Sequence, residues 1–437
     1  MDLFLKTSDN KYFIEHHHYY FIDEIAKECD VPVIPPPILF LQNEKSVCFE
    51  INVHTRKIQT NYYIGVDWLI ESQKAICIEP KLNKDSTDQV DYLKMLFSAL
   101  KHSESAKNLD NLFEIKWDKD YIEIEQQQDF LTPLLVVQFL SLVKEIVRKG
   151  LKKSYYKVEN NLYAKVKGKV LISQTIKQNL VKNKPLHTYC NYDEFGLNGL
   201  ENRLLKKALV FVQRYLPNIK NLQSEKYTTE IFNYINPAFE FVSEEVNLHD
   251  AKHTKTNPFY KEYEEAIKLA KLILKRFGYT ISNTQEKRIK TPPFWIDMSK
   301  LFELYVFAKL KEIFPDKNEV KYHQKFNGLE PDFILNSKDG KYQMVVDAKY
   351  KQRYSYTNIS IDDIRQVSGY ARMKSIYKAL GMENKHNEVI DCLIIYSDQE
   401  SNRKDFVKDK FLYEPEDDYV NFYKIGIALP VLKNDSE

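Results

Sequence analysis

The chain has 437 residues and a mass of 51.8 kDa, which is beyond the size at which one hydrophobic core normally stops growing. Hydrophobic residues make up 43% and charged residues 29% of the sequence, a composition that excludes an intrinsically disordered protein. Lys and Arg total 64 against 62 Asp and Glu, a formal charge of +2, which excludes binding to nucleic acid through bulk charge alone. We therefore expect two or three globular domains, with any nucleic-acid contact made by local charge patterns.

The cysteines and the N-terminus indicate the cellular compartment. The 5 cysteines are scattered and never spaced as C-x-x-C, so the sequence predicts neither a zinc ribbon nor a disulfide framework. Asp2 stands where a signal peptide would carry positive charge. No apolar run approaches the roughly 18 residues of a membrane span. We expect a cytoplasmic protein that does not associate with membranes.

Residues 1 to about 125 contain short strand patterns separated by turns. Apolar residues concentrate in the segments 47–54, 62–70 and 75–80, as is typical of strands. The prolines Pro35 to Pro37 cannot donate to a sheet and indicate an extended connector at an edge. From residue 130 to residue 148 the spacing predicts a helix that closes this region. The sequence thus predicts a β-rich N-terminal module over residues 1–180.

A basic stretch overlaps the end of this module. Between Lys144 and Lys169 there are nine basic residues and two acidic ones, interleaved with Tyr155, Tyr156 and Tyr163. One interpretation is a surface for DNA or a protein partner. The other is an ordinary solvated helix end and strand face in a lysine-rich protein. The sequence leaves both open.

The remainder of the chain is predicted to be helical and then α/β. Two amphipathic patterns, at 198–215 and 259–277, predict a helical middle region over residues 181–280. An apolar helix pattern over 301–314 is followed by alternating strands and helices, which is typical of an α/β domain. The predicted fold class is therefore multidomain α/β, with a β-rich start, a helical middle and a C-terminal domain over residues 281–437.

The residues that point to chemistry lie in a predicted hairpin of this last domain. Asp332 follows Pro331 at the start of one strand, and Asp347 and Lys349 end the next strand, after a turn at 339–340. Side chains two residues apart share one face of a strand, which places Asp347 and Lys349 about 7 Å apart along the chain. The head of the partner strand can bring Asp332 to the same end. Two carboxylates and a lysine are thus expected to converge.

This trio suits phosphodiester hydrolysis. Mg²⁺ binds one or two carboxylates and keeps other positions for water and phosphate oxygen, which fits Asp332, Asp347 and the carbonyl of Ala348. The metal lowers the pKa of a bound water and neutralises charge on the phosphate. Lys349 can orient or deprotonate that water and hold the phosphate.

The tripeptide acidic-x-Lys is a weak signal by itself, because at least eight copies occur in this chain. Only Asp347 follows a β-branched strand core with a Pro-Asp pair one hairpin upstream. The alternative, a surface ion pair between Asp347 and Lys349, fits poorly with the apolar neighbours Val345, Val346 and Ala348.

Two flanking helices add candidates. Glu303 lies in an otherwise nearly all-apolar helix pattern, where a carboxylate needs a cation or a donor, although a helix dipole can also favour a Glu there. Gln366 and Tyr370 are four residues apart on one helical face, with Arg365 and Arg372 available for phosphates. The alternative for that segment is a plain amphipathic helix.

These residues resemble a known superfamily. Asp332, the Asp347-Ala-Lys349 tripeptide, the Glu303 helix and the Gln366-x-x-x-Tyr370 helix match the PD-(D/E)xK nuclease core with the QxxxY extension of RecB-like nucleases. Over residues 60 to 350 the chain is also similar to McrC, the nuclease subunit of the McrBC modification-dependent restriction system. That similarity is carried by YYIGVDWLI, RKGLKKSYY, CNYDEFGLNGLENRLLKKAL and WIDMSKLFELYV.

The resemblance implies a Mg²⁺-dependent endonuclease with a restriction-endonuclease-like core and mixed sheet over 281–437, using one or two Mg²⁺ ions. It implies catalytic residues at Asp332, Asp347, Lys349, Gln366 and Tyr370, and metal ligands at Asp332, Asp347 and Glu303. It also implies an AAA+ GTPase partner of McrB type, in hexameric rings, docked by the module at 1–180, and a substrate of modified double-stranded DNA. With 11 glycines and no GxxxxGK[ST] motif, the chain lacks a phosphate loop of its own.

Two other functions remain open at this point. The chain could be a non-catalytic scaffold that binds DNA or activates an AAA+ partner, or a stand-alone nuclease.

Two further segments are interpreted as structural and not as functional sites. The consecutive histidines His16 to His18 alternate faces on a strand and do not converge on a metal. Asp193 and Glu194 precede a helix pattern and are interpreted as residues of the helix start and its packing.

Overall fold

The structure, a computed structural model, describes most of the chain. The described residues are 3–6, 10–12, 38–43, 46–52, 57–80, 90–100, 112–125, 129, 131–215, 226–247, 261–278, 288–351, 354, 357–398 and 406–431. The predictions for His16 to His18 and for Pro35 to Pro37 concern residues outside these ranges. Among the helices within them, none is both long and apolar enough to cross a membrane.

Nineteen strands lie within the described ranges. They are β1 (Leu3–Lys6), β2 (Asn10–Tyr12), β3 (Ile38–Asn43), β4 (Ser46–Asn52), β5 (Lys57–Thr60), β6 (Tyr63–Ile70), β7 (Lys74–Glu79), β8 (Phe113–Ile115), β9 (Ile122–Glu125), β10 (Ser154–Tyr163), β11 (Lys169–Val170), β12 (His187–Gly196), β13 (Arg288–Thr291), β14 (Phe294–Asp297), β15 (Val320–Tyr322), β16 (Phe333–Asn336), β17 (Gln343–Lys349), β18 (Asp391–Ser397) and β19 (Phe422–Ile427).

The α-helices of the same ranges are α1 (Tyr92–Leu100), α2 (Leu131–Lys149), α3 (Ile172–Thr175), α4 (Leu200–Tyr215), α5 (Lys226–Ile235), α6 (Lys261–Gly278), α7 (Met298–Ile313), α8 (Ile361–Tyr370) and α9 (Lys374–Ala379). A π-helical turn, Ile176–Leu180, follows α3, and short 3₁₀ turns occur at Asn236–Phe239 and Lys408–Lys410. The strands predicted around residues 48, 66 and 77 are confirmed as β4, β6 and β7. The four predicted long helices are confirmed as α2, α4, α6 and α7.

The chain forms two compact units. One combines Met1–Leu134 with Gln285–Glu437, and the other is Leu135–Thr284. The division predicted from the sequence, at 180/181 and 280/281, differs from this grouping in two places. In both places strands from opposite sides of a predicted boundary pair with each other.

The first difference is a strand that joins the N-terminal sheet from far along the chain. That sheet has the order β1-β7-β6-β14-β8, so β14 lies between two strands of the first 120 residues. Trp295 of β14 is fully buried against Phe49, with ring centroids 5.8 Å apart, and its indole N–H donates to Asp67 at 2.9 Å. The domain predicted over residues 281–437 therefore contributes one strand, β14, to the N-terminal sheet.

The second difference lies in the unit Leu135–Thr284. Its sheet has the order β10-β12-β11, and β10 pairs with β12 over their whole lengths. The predicted boundary at 180/181 passes through this sheet. Asp193 and Glu194 lie in β12 and not at a helix start, so that interpretation was wrong: Glu194 instead accepts a hydrogen bond from Tyr156 Oη at 3.4 Å.

The C-terminal sheet is mixed and has helices on it. Its order is β15-β16-β17-β18-β19, antiparallel up to β17 and parallel from there on. Val345 and Ile394 of the sheet pack with Ile364 and Val367 of α8 in one apolar core. The predicted hairpin of β16 and β17 is confirmed, and so is the mixed α/β character. The C-terminal end of β17, beside α8, carries the polar residues described next.

Candidate active site

The two predicted carboxylates meet at one end of the β16–β17 hairpin. Asp332 directly precedes β16 and is partly exposed, whereas Asp347 lies in β17 with 1% of its surface exposed. The backbone N–H of Ala348 donates to Asp332 Oδ2 at 2.8 Å. This bond fixes the first carboxylate against the strand that carries the second.

Asp347 is a buried carboxylate with little compensation. Within the described part of the chain, neither of its oxygens accepts a hydrogen bond of good geometry, although Lys349 Nζ lies 2.9 Å from Oδ2. Burial raises the pKa of Asp347, against the opposing effect of Lys349. Burial also raises the pKa of Asp332, and the charges of Asp347 and Glu303 raise it further. A site of this kind favours a cation, because among the residues that the structure describes a single ammonium, that of Lys349, faces a pair of carboxylates whose charged forms burial disfavours.

Lys349 extends from the same face of β17 toward α8. Its Nζ donates to Gln366 Oε1 at 3.1 Å and lies 3.8 Å from Asp363 Oδ1, in addition to its ion pair with Asp347. Burial alone would lower the pKa of Lys349, but the Asp347 carboxylate outweighs it and holds that pKa above its usual value. The side chain is therefore an ammonium at neutral pH.

Helix α8 presents the other two predicted residues. Gln366 Nε2 donates to Tyr370 Oη at 3.1 Å, so Lys349, Gln366 and Tyr370 form one chain of hydrogen bonds. The helix starts at Ser360, whose side chain accepts from the N–H of Asp363. Arg365 is not brought into this chain: its exposed guanidinium lies 3.6 Å from Asp362.

Asp363 of α8 is a residue of the site that was not predicted from the sequence. Its Oδ2 accepts from Lys351 Nζ at 2.7 Å and from the hydroxyl of Tyr354, a fully buried residue. Burial alone would raise the pKa of Asp363, but these donors outweigh it and lower that pKa. The available signal was its position three residues before Gln366, on the same helical face.

Glu303 of α7 also reaches the site, together with a histidine that was not anticipated. His323 Nε2 lies 3.0 Å from Glu303 Oε2, and Tyr322 Oη donates to the same oxygen at 3.4 Å. One ligand atom each from Glu303, His323 and Asp332 lie within 4.8 Å of one another. The hairpin offered a signal for His323, because β15 pairs with β16 and places it opposite Asp332.

A model of the family described as McrBC 5-methylcytosine restriction system component matches residues 58–380. This range covers well over half of the chain. The chain belongs to the McrBC family. The family resemblance identified from the sequence is thereby confirmed.

Two solved structures are similar to this McrBC family member. One is a refined half-complex from a tetradecameric assembly of Thermococcus gammatolerans McrB AAA+ hexamers with bound McrC, at 15% identity, with 98% of this chain and 94% of that chain covered and a TM-score of 0.37. The other is a cryo-EM structure of the Thermococcus gammatolerans McrBC complex, at 15% identity, with 74% and 90% covered and a TM-score of 0.29. No curated protein matches the sequence.

Proposed function

We propose that this chain is the DNA-cleaving component of an McrBC-type restriction system, a Mg²⁺-dependent endonuclease that acts on modified double-stranded DNA. The observation that carries the proposal is the convergence of Asp332, Asp347 and Lys349 at the end of β17, with a buried carboxylate that lacks a hydrogen-bond donor of good geometry. The mixed sheet, with α8 packed beside β17, supports assignment of this region to the PD-(D/E)xK superfamily. A cytoplasmic location belongs to the same proposal.

The residues present fit a divalent cation. Asp332 and Asp347 would hold it, with Glu303 as a further ligand. Ligand atoms of Asp332 and Glu303 lie within 4.8 Å of each other, and among the described residues no hydrogen bond of good geometry reaches the buried oxygens of Asp347. A Mg²⁺ ion bound there supplies an activated water and offsets negative charge on the phosphate. One or two such ions are compatible with three carboxylates.

Lys349 is the residue that would act on the phosphate. As an ammonium it donates hydrogen bonds and cannot accept a proton, so its role would be to hold a phosphate oxygen of the bound DNA or the attacking water. Gln366 fixes the position of its Nζ, and Tyr370 fixes Gln366. The three side chains therefore orient one donor group toward the carboxylate pair, as positioning effects in catalysis require.

An AAA+ GTPase partner of McrB type is part of the proposal. Membership in a family of restriction-system components supports it, as does the lack of a GxxxxGK[ST] phosphate loop in the sequence. Large apolar side chains are also exposed along β10, β12 and the segment between these strands, which is typical of a surface that binds another protein. They are Tyr155, Tyr163, Val166, Ile172, Ile176, Leu180, Val181, Leu186 and Phe195.

The test is a reconstitution with an McrB-type GTPase, methylated plasmid DNA, Mg²⁺ and GTP. We expect the chain alone to hydrolyse no GTP and to cut little DNA, and the mixture to show both activities above those of either protein alone. GTPase stimulation without cutting would instead support a non-catalytic activator. Rapid cutting by the chain alone, without GTP, would support a stand-alone nuclease.

A further inference from the structure

His323 lies in a setting that suits a metal ligand. Its Nδ1 is 3.3 Å from Glu330 Oε1, and its Nε2 is 3.0 Å from Glu303 Oε2. A carboxylate behind one ring nitrogen directs the lone pair of the other nitrogen outward, as in carboxylate–histidine–metal groups. With Nδ1–H donated to Glu330, Nε2 and Glu303 Oε2 become two acceptors that repel each other unless a cation or a proton lies between them.

The ring is held in this place by its backbone. His323 has a φ of +48°, a left-handed conformation that residues with a Cβ seldom adopt. Its N–H donates to the carbonyl of Asp332 at 3.0 Å, and the ring of Tyr322 lies edge-on to it, with centroids 4.2 Å apart. The imidazole is therefore tied to the residue that would share the cation.

A second observation also points to a cation. Asp347 is 99% buried, and neither of its oxygens accepts a hydrogen bond of good geometry within the described residues. Its neighbour Ala348 is bonded to Asp332 at 2.8 Å, which links this carboxylate to the group of Glu303, His323 and Asp332. The site thus brings together four side chains with possible ligand atoms, two more than a single pair of carboxylates supplies.

We propose that Glu303, His323 and Asp332 form a divalent-cation position of mixed nitrogen and oxygen ligands beside the Asp332–Asp347 position, and that His323 makes it select Mn²⁺ over Mg²⁺. The inference rests on the proposed function for the neighbouring Asp332–Asp347 position. Mg²⁺ prefers oxygen ligands and keeps several waters. Imidazole nitrogen instead favours first-row transition metals. A set of nitrogen and oxygen ligands is therefore expected to bind Mn²⁺ more tightly than Mg²⁺.

The experiment is Mn²⁺ and Mg²⁺ binding to the full chain by calorimetry, with pulsed electron paramagnetic resonance of the bound Mn²⁺. We expect Mn²⁺ to bind at least about tenfold more tightly than Mg²⁺, with a nitrogen coupling typical of a directly bound imidazole. In His323→Gln, that coupling should disappear and Mn²⁺ affinity should fall about tenfold or more, with Mg²⁺ affinity nearly unchanged. The control is His386→Gln, an exposed histidine elsewhere in the same unit.

Glu330→Gln provides a second variant should His323→Gln fold poorly. It should keep the nitrogen coupling and bind Mn²⁺ more weakly, because the ring loses its orienting carboxylate. Wild-type protein that binds Mn²⁺ without nitrogen coupling would overturn the inference, as would unchanged Mn²⁺ affinity in folded His323→Gln. If either result is obtained and Asp347→Asn still abolishes DNA cleavage in Mg²⁺, the inference about His323 is wrong but the proposed function stands. Nitrogen coupling in a protein that cuts no DNA with its partner would support the metal position and contradict the proposed function.

Discussion

Asp347 illustrates how a single residue can oppose stability and support chemistry. Its carboxylate is buried and its pKa is raised, which means that folding disfavours its charged form relative to the unfolded chain. A protein selected for stability alone would place an apolar or amide side chain there. The charge is explained if a cation binds to it.

Replacing Asp347 with Asn should therefore separate stability from activity. We expect Asp347→Asn to raise the melting temperature in the presence of a chelator, because it removes a buried charge. Cleavage should fall by at least about 100-fold, which corresponds to about 3 kcal/mol of transition-state stabilisation. Calorimetric melting with and without Mg²⁺ measures the first effect. A marked loss of stability in chelator would contradict this explanation of the raised pKa.

Asp363 is expected to act through Lys349. Asp363→Asn should lower the single-turnover cleavage rate by about tenfold to 100-fold and leave DNA affinity nearly unchanged, because Lys349 and Lys351 both lose the α8 carboxylate that lies 3.8 Å and 2.7 Å from their Nζ atoms. The folded pKa of Asp363 is lowered, so its carboxylate stabilises the fold above the ordinary Asp pKa and loses this effect as the pH falls.

The stability deficit of Asp363→Asn should accordingly shrink as the pH falls through 4 and below. The matched control is Asp362→Asn, the adjacent carboxylate, whose side chain is 93% exposed. Equal effects of the two variants on the cleavage rate would show that Asp363 does not position Lys349.

At the scale of elements, local patterns determined what could be predicted. The β16–β17 hairpin was predictable because two apolar runs flank Asp339-Gly340, and Gly340 adopts the left-handed φ of +70° that such turns favour. Long helices were predictable from their spacing. The position of β14 was not, since its partner strand β6 lies over 220 residues away and no local pattern encodes such a pairing. The pairing of β15 with β16 could have placed His323 beside Asp332, but its contact with Glu303 also depends on how α7 packs on the sheet, which no local pattern encodes.

The β6–β14 contact makes a specific demand on Gly65. Gly65 has a φ of +149°, and a Cβ there would lie 2.0 Å from the carbonyl oxygen of Phe294. We expect Gly65→Ala to lower the free energy of unfolding by about 2 kcal/mol or more, as measured by urea denaturation. Gly369→Ala is the control, because it lies in α8 with no atom within 4 Å of the added Cβ. It should be neutral or slightly stabilising. Equal stability of Gly65→Ala and wild type would mean that β14 does not pack on β6 as described.

The two compact units do not follow the predicted modules, because one unit combines Met1–Leu134 with Gln285–Glu437 and the other is the segment between them. A fragment of residues 1–180 would lack β14, which lies between β6 and β8, and would lack β12, which pairs with β10. The partner-docking role assigned to this region from the sequence is therefore better tested by substitutions in the full chain. Tyr155 and Phe195 are suitable, because they are 76% and 58% exposed and face each other with ring centroids 5.0 Å apart.

We expect the double variant Tyr155→Ala/Phe195→Ala to fold normally and to stimulate the GTPase at least about tenfold less than wild type, since exposed aromatic residues often dominate protein interfaces. The readout is GTP hydrolysis against added chain. The control, Tyr413→Ala/Val420→Ala, removes side chains that are 70% and 76% exposed in the other unit. Full stimulation by the first variant would show that the partner binds elsewhere.

Lys349 is the residue at which the proposed cleavage of DNA at the end of β17 can be tested with the clearest outcome. The measurement is single-turnover cleavage of methylated DNA by Lys349→Met in the reconstituted system, with Lys341→Met as the control at the hairpin turn, where the lysine is exposed and lies 3.8 Å from Asp409. We expect Lys349→Met to bind its partner and stimulate GTP hydrolysis normally while cleavage falls at least about 100-fold. Lys341→Met should cut at the wild-type rate. Undiminished cleavage by a folded Lys349→Met would contradict the assignment of the active site.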